Sequence, residues 1–413
     1  MRRVVVLLIV SFLPTISLCA QVIARFEVEA PANPGELEIP VSAQIDKLTS
    51  LSDSELALKA VEGGKKVSVP FQINISGDKR ELIWLVKFES KDIKKVFELS
   101  KGKTEKSNSI IATKDDKNLT ISANDKNLLR YVHGMTYPPA GVDSAYRRSG
   151  FIHPLWTPHG QELTRIQPPD HYHHYGIWNP WTHVLYKGDT IDFWNIGGKK
   201  GTVRFARFNS MISGQIFSEV EALHEHVVTK KNAKEEVAIT ERQIIRVYRP
   251  EPGKDYYVVD FTSEMTCATD DPVTLLQYRY GGFGWRTTEQ WNNKNSEVLT
   301  SEGKSRKEAD GSLARWCIVQ GELGADYGGV VMMSNPSNYN HPEPLRIWPE
   351  NQYNRGDMFA NFSPTKNKDW LLEPGKTYTL HYRLLVFNGK MMKENAERAW
   401  QGFAHPPIVT VKK

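Results

Sequence analysis

Cysteine is scarce in this chain: three in 413 residues, at positions 19, 267 and 317. That excludes a disulfide framework and the repeated thiol spacing of a structural zinc module. Long apolar runs are scarce too, and a mean hydropathy of −0.47 excludes a multi-span membrane protein. Charge of one sign is nearly absent, because 53 basic and 48 acidic side chains leave only +5. A balance of this kind carries no nucleic-acid footprint. What is present is globular text: 40% hydrophobic, 24% charged and 10% aromatic residues, in a length that allows two or three domains.

The one greasy stretch lies at the start. Arg2 and Arg3 precede an apolar run over 4–10 that continues through Phe12, Leu13, Ile16 and Leu18. A charged start, a short core and small residues up to Ala20 read as a secretory signal removed before Gln21. The alternative is a lipoprotein acylated at Cys19, although Leu18 is bulkier than such signals carry. The expected address is therefore periplasmic or extracellular, and the mature chain is expected to lack a transmembrane domain. Cys267 and Cys317 either pair there or stay as buried thiols.

From Val22 to about Ser122 short alternating runs follow one another, at 25–29, 36–43, 66–73, 81–89 and 95–99. In Val67-Ser68-Val69-Pro70-Phe71-Gln72-Ile73 apolar residues fall at every second position, the strand period. Asn33-Pro34-Gly35, Gly63-Gly64 and Gly77-Asp78 are turn chemistry. About seven strands in about a hundred residues predict a small Ig-like β-sandwich. The expected division is a signal at 1–20, this sandwich at 21–125 and a large domain at 126–413, with a linker within 101–108. In the large domain, strands are expected within 203–248 and over 256–265, 274–280, 328–334 and 378–387. They predict an antiparallel β-supersandwich, and so an all-β protein. Met392, Ala396, Ala399, Trp400 and Phe403 recur at helical spacing before Pro406-Pro407, predicting one short C-terminal helix.

The chemistry concentrates in 150–183, which holds six of the twelve histidines. Its centre is Pro168-Pro169-Asp170-His171-Tyr172-His173-His174-Tyr175-Gly176-Ile177-Trp178. An extended 170–174 would put His171 and His173 on one face, able to give two nitrogens to a divalent metal. A histidine beside an aspartate equally makes a general acid or base near neutral pH. Packed, hydrogen-bonded histidines under aromatics are the structural alternative. Trp156, Trp178, Trp181 and Trp194 lie close by in sequence, and indole faces suit the C–H face of a sugar ring. Tyr278-Arg279-Tyr280-Gly281-Gly282-Phe283-Gly284-Trp285-Arg286, followed by Glu289, is a second candidate segment. Its glycines permit a bulge or a close approach, and Arg286 can hold a carboxylate or an oxyanion. The loop over 335–344 and the pair His224-Glu225-His226 are weaker signals, read as structure.

The block His153-Pro154-Leu155, Thr157-Pro158, Gly160, Thr164-Arg165, Pro168-Pro169-Asp170-His171, His173-His174, Gly176-Ile177-Trp178 resembles the secreted bacterial family that carries the name methane oxygenase PmoA. Tyr280-Gly281-Gly282 with Gly284 and Arg286 resembles its second block, and Tyr382-Arg383 with Val386 and Gly389 its last strand. The likeness covers roughly 128–405. The name does not describe the chemistry, since a membrane oxygenase subunit is a bundle of long apolar helices. What the resemblance implies is a secreted protein of bacteria that dismantle polysaccharides, with no catalytic residue assigned.

The expectation carried forward is an enzyme that cleaves or modifies glycosides, its partner an oligosaccharide or polysaccharide and not a nucleic acid. His171, His173 or His174 serves as acid or base, Asp170 orients it, and Arg165 or Arg286 stabilises charge. His153, Trp156, Trp178, Trp181, Tyr280 and Glu289 hold the sugar. A non-catalytic glycan-binding protein and a metal-dependent oxidase or oxygenase on His171 and His173 are the rival expectations.

Overall fold

The computed structural model describes residues 21–31, 35, 37–89, 91–103, 110–229, 234–353, and 355–412. The expected signal segment at 1–20 and most of the expected linker lie outside them. The protein is all-β, with antiparallel sheets and, among the described residues, one α-helix, Lys393–Ala404, near the C-terminal end. Among the described residues no helix is long and apolar enough to cross a membrane.

The small sandwich forms as the alternation predicts. Val22–Glu29, Leu56–Glu62, Lys65–Val69 and Lys94–Lys101 lie in one sheet; Ile39–Gln44, Phe71–Ser76 and Lys79–Val86 lie in the other. Phe26, Leu58, Phe97, Val41, Leu82 and Trp84 fill the space between them. The run over 66–73, expected as one strand, is two. Pro70 has no N–H for a ladder, and the chain changes sheet there. The expected division at 125/126 does not follow sheet membership either. Ile110–Lys114 and Asn118–Ala123 pair into the large unit, and Val409–Lys412 returns to pair with Val22–Glu29.

Two large antiparallel sheets face each other in the rest of the chain. One holds the long strands Gly201–Ile212, Phe217–Val228, Glu236–Tyr248, Tyr256–Cys267 and Tyr378–Asn388, continued by Asp326–Ser334, Trp316–Leu323 and Ser296–Thr300. The other holds nine shorter strands, among them Lys126–Val132, Phe151–Leu155, Ile177–Trp178, Gly284–Arg286, Phe359–Phe362 and Glu343–Ile347. A single apolar core joins their inner faces, from Ile121, Ile152, Ile177 and Trp285 to Val247, Val259, Met332 and Leu384. The stretch 274–280 is strand only over Val273–Leu275, after which the chain leaves the ladder. Helix Lys393–Ala404 lays Ala396 and Trp400 on the back of the long sheet, and the Trp400 indole N–H donates to the Ser334 carbonyl at 2.9 Å. Cys267 and Cys317 are free thiols.

Two carboxyls buried in this scaffold have opposite fates. Burial pushes Glu241 up, but the 3.0 Å bond to His226, the charges of His226 and His224 and the Ser263 hydroxyl together outweigh it and hold the acid down at about 2. Burial also pushes Glu343 up, to about 7, because its partners are the neutral donors Ser334, Asn338 and Tyr382. Between the unfolded carboxylate value near ~4.3 and pH 7 the folded state holds a proton that the unfolded chain has lost, so stability falls as pH rises through that window. We expect Glu343→Gln to raise stability at pH 8 by about 1–3 kcal/mol, with the gain vanishing by pH 4, as read from chemical denaturation at both pH values. His226→Ala strands the Glu241 charge and is expected to cost about 3–5 kcal/mol in the same measurement at pH 7.

Candidate functional site

The period of two decides which residues of the nine-stranded sheet face away from the core. Ile152, Ile177, Trp285, Ala360 and Ile347 point inward. Phe151, Trp178, Phe359 and Trp348 form a separate aromatic layer, and Arg286, opposite Phe359 in register, belongs to their face. The glycines make this layer fit. A Cβ on Gly284 would meet the Trp194 ring at 2.8 Å. Gly176 has φ +56°, and a Cβ there would lie 2.1 Å from the Ile152 carbonyl. Gly176 also ties two candidates together: its N–H donates to Arg165 O at 2.9 Å, and its carbonyl accepts from Arg286 N at 2.8 Å.

The histidine block is not extended. His171 N–H donates to Pro168 O, His174 N–H to His171 O, and Gln167 N–H to His174 O, so the segment is a run of tight turns. The expected alternation of faces is therefore replaced by a cluster. His171 stacks on His174 with centroids 4.6 Å apart, and His173 meets His174 edge-on at the same distance. His174 is sealed, 1% exposed, on Phe359 and Trp178. Burial holds it neutral, well below the usual imidazole range, and burial beside His171 brings His173 to about 3. His171 alone of the three is bonded on both ring nitrogens, and it keeps an open edge.

Arg286 rises from the aromatic floor at 1% exposure, its guanidinium 4.7 Å from the centre of the Trp348 ring. Its Nη2 lies 3.1 and 3.2 Å from the two Asp170 oxygens and 2.5 Å from Asp357 Oδ2. Asp170 in turn accepts from His171 Nδ1 at 2.9 Å. A carboxylate only accepts, so Nδ1 carries the proton, and in the neutral ring Nε2 accepts the Tyr353 hydroxyl at 3.0 Å. Partial burial pushes Asp170 up, but His171 and Arg286 outweigh it and hold the acid well below the carboxylate range. Tyr353 stands 50% exposed at the outer end of this line. Arg165 pairs with Glu289 at 3.0 Å and Arg355 with Asp357 at 3.2 Å, which closes a rim of matched charges.

Tyr353, Arg355, Asp357 and the floor residues Trp348 and Phe359 were not among the sequence candidates. Their segment reads as an ordinary polar turn followed by a short apolar run, and only sheet pairing brings it to the histidines. Several expected roles change. Trp178 and Trp181 are sealed in packing and present no sugar platform. Trp156 is half-buried under Arg130 at 5.3 Å and bridges Glu162, at the other end of the segment that leads to Arg165. His153 bonds Thr164 at 2.9 Å, and burial lowers it to about 4, which makes it a packing residue. Tyr280 supports the floor, its oxygen accepting from Arg346 and the Trp348 indole, each at 3.0 Å. Arg286 is matched by two carboxylates and cannot meet substrate charge directly. Arg165 and Glu289 do reach the rim.

One nitrogen from each of His171, His173 and His174 falls within 4.8 Å of the others, so these three residues could hold a metal ion. Among the described residues His174 Nδ1 has no hydrogen-bond partner, and it is buried.

Residues 118–401 match the model of a family of unknown function, DUF6807. The chain belongs to that family. No curated protein matches this DUF6807 member. Two solved structures resemble it at 7% identity: a glycosyl hydrolase family 38 protein from Enterococcus faecalis, TM-score 0.46, and an alpha-mannosidase from Enterococcus faecalis, TM-score 0.45. Each comparison covers 94% of this chain but only 47% and 46% of the other, so the chain spans about half the length of those proteins.

Trp178 at the centre of the aromatic floor yields a direct expectation. Trp178→Ala should act on stability, lowering it by about 3–5 kcal/mol in denaturant titration, as a core cavity does and as a surface sugar platform would not.

Proposed function

We propose that this protein is an enzyme acting on carbohydrate, with Tyr353, His171 and Asp170 as its proton path. The observation that carries the reading is the hydrogen-bonded line from buried Arg286 through Asp170 and His171 to the half-exposed Tyr353 hydroxyl. Tyr353 meets a substrate hydroxyl or glycosidic oxygen, and His171 exchanges the proton with it. Asp170 fixes the tautomer and supports the imidazolium while it exists, and Arg286 positions Asp170. Support for the substrate class comes from the rim. The exposed phenol ring offers a flat apolar face, and the pairs Arg165–Glu289 and Arg355–Asp357 offer hydrogen bonds without net charge. Such a surface suits a neutral, hydroxyl-rich molecule, and the reaction class is cleavage or modification of a glycoside.

A second reading has its own observation, the convergence of three imidazoles with an unpartnered nitrogen on His174. A divalent metal bound there would take nitrogens from His171, His173 and His174 and leave Asp170 to orient His171.

One set of experiments separates the two. On a glycan panel scored for new reducing ends and for unsaturated products, His171→Ala and Tyr353→Phe should each lose roughly 10²–10⁴-fold in turnover, with far-ultraviolet dichroism unchanged. Unchanged turnover in both variants would remove the proton path. Stoichiometric metal in the purified protein, activity lost on chelation and a nearly normal Tyr353→Phe variant would establish the second reading instead.

A further inference from the structure

Arg306 lies between strands Ser296–Thr300 and Leu313–Ala314, remote in sequence from every residue of the site. It is 3% exposed, and each hydrogen bond it makes among the described residues ends on a main-chain carbonyl. Nε donates to Trp348 O at 2.9 Å, and Nη2 reaches Gly356 O and Asp357 O, both at 2.8 Å. A guanidinium taken out of water against carbonyl dipoles is costly unless those bonds hold. Burial lowers its pKa to about 10, with the more distant charges of Glu350 and Asp357 opposing.

The carbonyls it gathers are not scattered. Trp348 opens the segment that carries Tyr353, and Gly356 and Asp357 close it. Inside, the chain doubles back tightly: Gln352 N–H donates to Pro349 O, Gly356 N–H to Gln352 O, and Tyr353 sits in the left-handed region at φ +51°. Gly356 is required there, since a Cβ would fall 2.3 Å from the Glu350 carbonyl.

We propose that Arg306 is a positioning residue of the site: one buried guanidinium staples both ends of the 348–357 loop and thereby sets Tyr353 on His171 and Asp357 on Arg286. The functional meaning rests on Tyr353 being the outer end of the proton path. The geometric claim is separable from it. It also gives the buried charge a task that no sheet or core contact requires.

The test is nitrogen-15 NMR of the histidine side chains in the full chain, with Tyr353→Phe as the reference. Tyr353→Phe should shift the His171 Nε2 resonance, and Arg306→Met should move it to the same place while the His171 Nδ1 signal, held by Asp170, stays. Amide exchange at Glu350–Tyr353, Arg355 and Gly356 should quicken by about tenfold or more in Arg306→Met. A folded Arg306→Met protein with the parental Nε2 signal overturns the proposal. If Arg306→Met does not fold, Arg306→Lys keeps the charge but loses the fork, and it should give an intermediate shift; a parental signal there overturns the proposal as well. Should Tyr353→Phe itself leave Nε2 unmoved, the Tyr353–His171 bond is absent in solution, and the proton path falls together with the role assigned to Arg306.

Discussion

Arg286 is the charge around which the site is organised. It stands on the face of a sheet strand that is otherwise aromatic, nearly out of contact with water. An isolated cation there would be intolerable, and two carboxylates from distant parts of the chain answer it. Each of those carboxylates brings something with it. Asp170 brings the histidine turns, and Asp357 brings the end of the Tyr353 loop. Burial of one guanidinium thus recruits both halves of the site, and Trp348 beneath it prevents the arrangement from relaxing downward.

The strand period does the sorting that makes this compatible with a stable fold. On one side of the nine-stranded sheet aliphatic residues and Trp285 join the shared core. On the other, large rings fill the place that helices or another sheet would otherwise cover. The histidines rest on those rings. Their burial is a by-product of that support, and it explains why three neighbouring imidazoles differ so sharply: one sealed, one mostly covered, one bonded at both nitrogens with an open edge.

How much of this was legible in the chain follows from the range of each signal. Alternation in strands such as Tyr256–Cys267 and Tyr378–Asn388, and the 3.6 period of Lys393–Ala404, are local, so the all-β fold and its single helix could be read directly. Asp170, His171 and Arg286 could be picked out because density of chemistry is also local. The turn geometry of 167–174 was hidden, since three histidines and a tyrosine carry no strong turn preference, and prolines at 168 and 169 suit a turn or an extended chain equally. The burial of Trp178 and Trp181 is hidden for a related reason: composition shows aromatic crowding but not which side of a sheet receives it. Tyr353 and Asp357 could not be found from pattern at all, because their importance exists only after strands at 284–286 and 359–362 pair.

The strand Val409–Lys412 zips onto the first described strand of the chain, at the far end of the polypeptide from it. The small sandwich is therefore sewn shut by a thread that has first travelled through the whole of its larger neighbour. Contacts of such wide sequence separation carry a large loop-closure cost and go with slower folding. The smaller unit therefore closes its last edge at a loop-closure cost that the fold of the larger one lowers, since that fold shortens the path between the two strands.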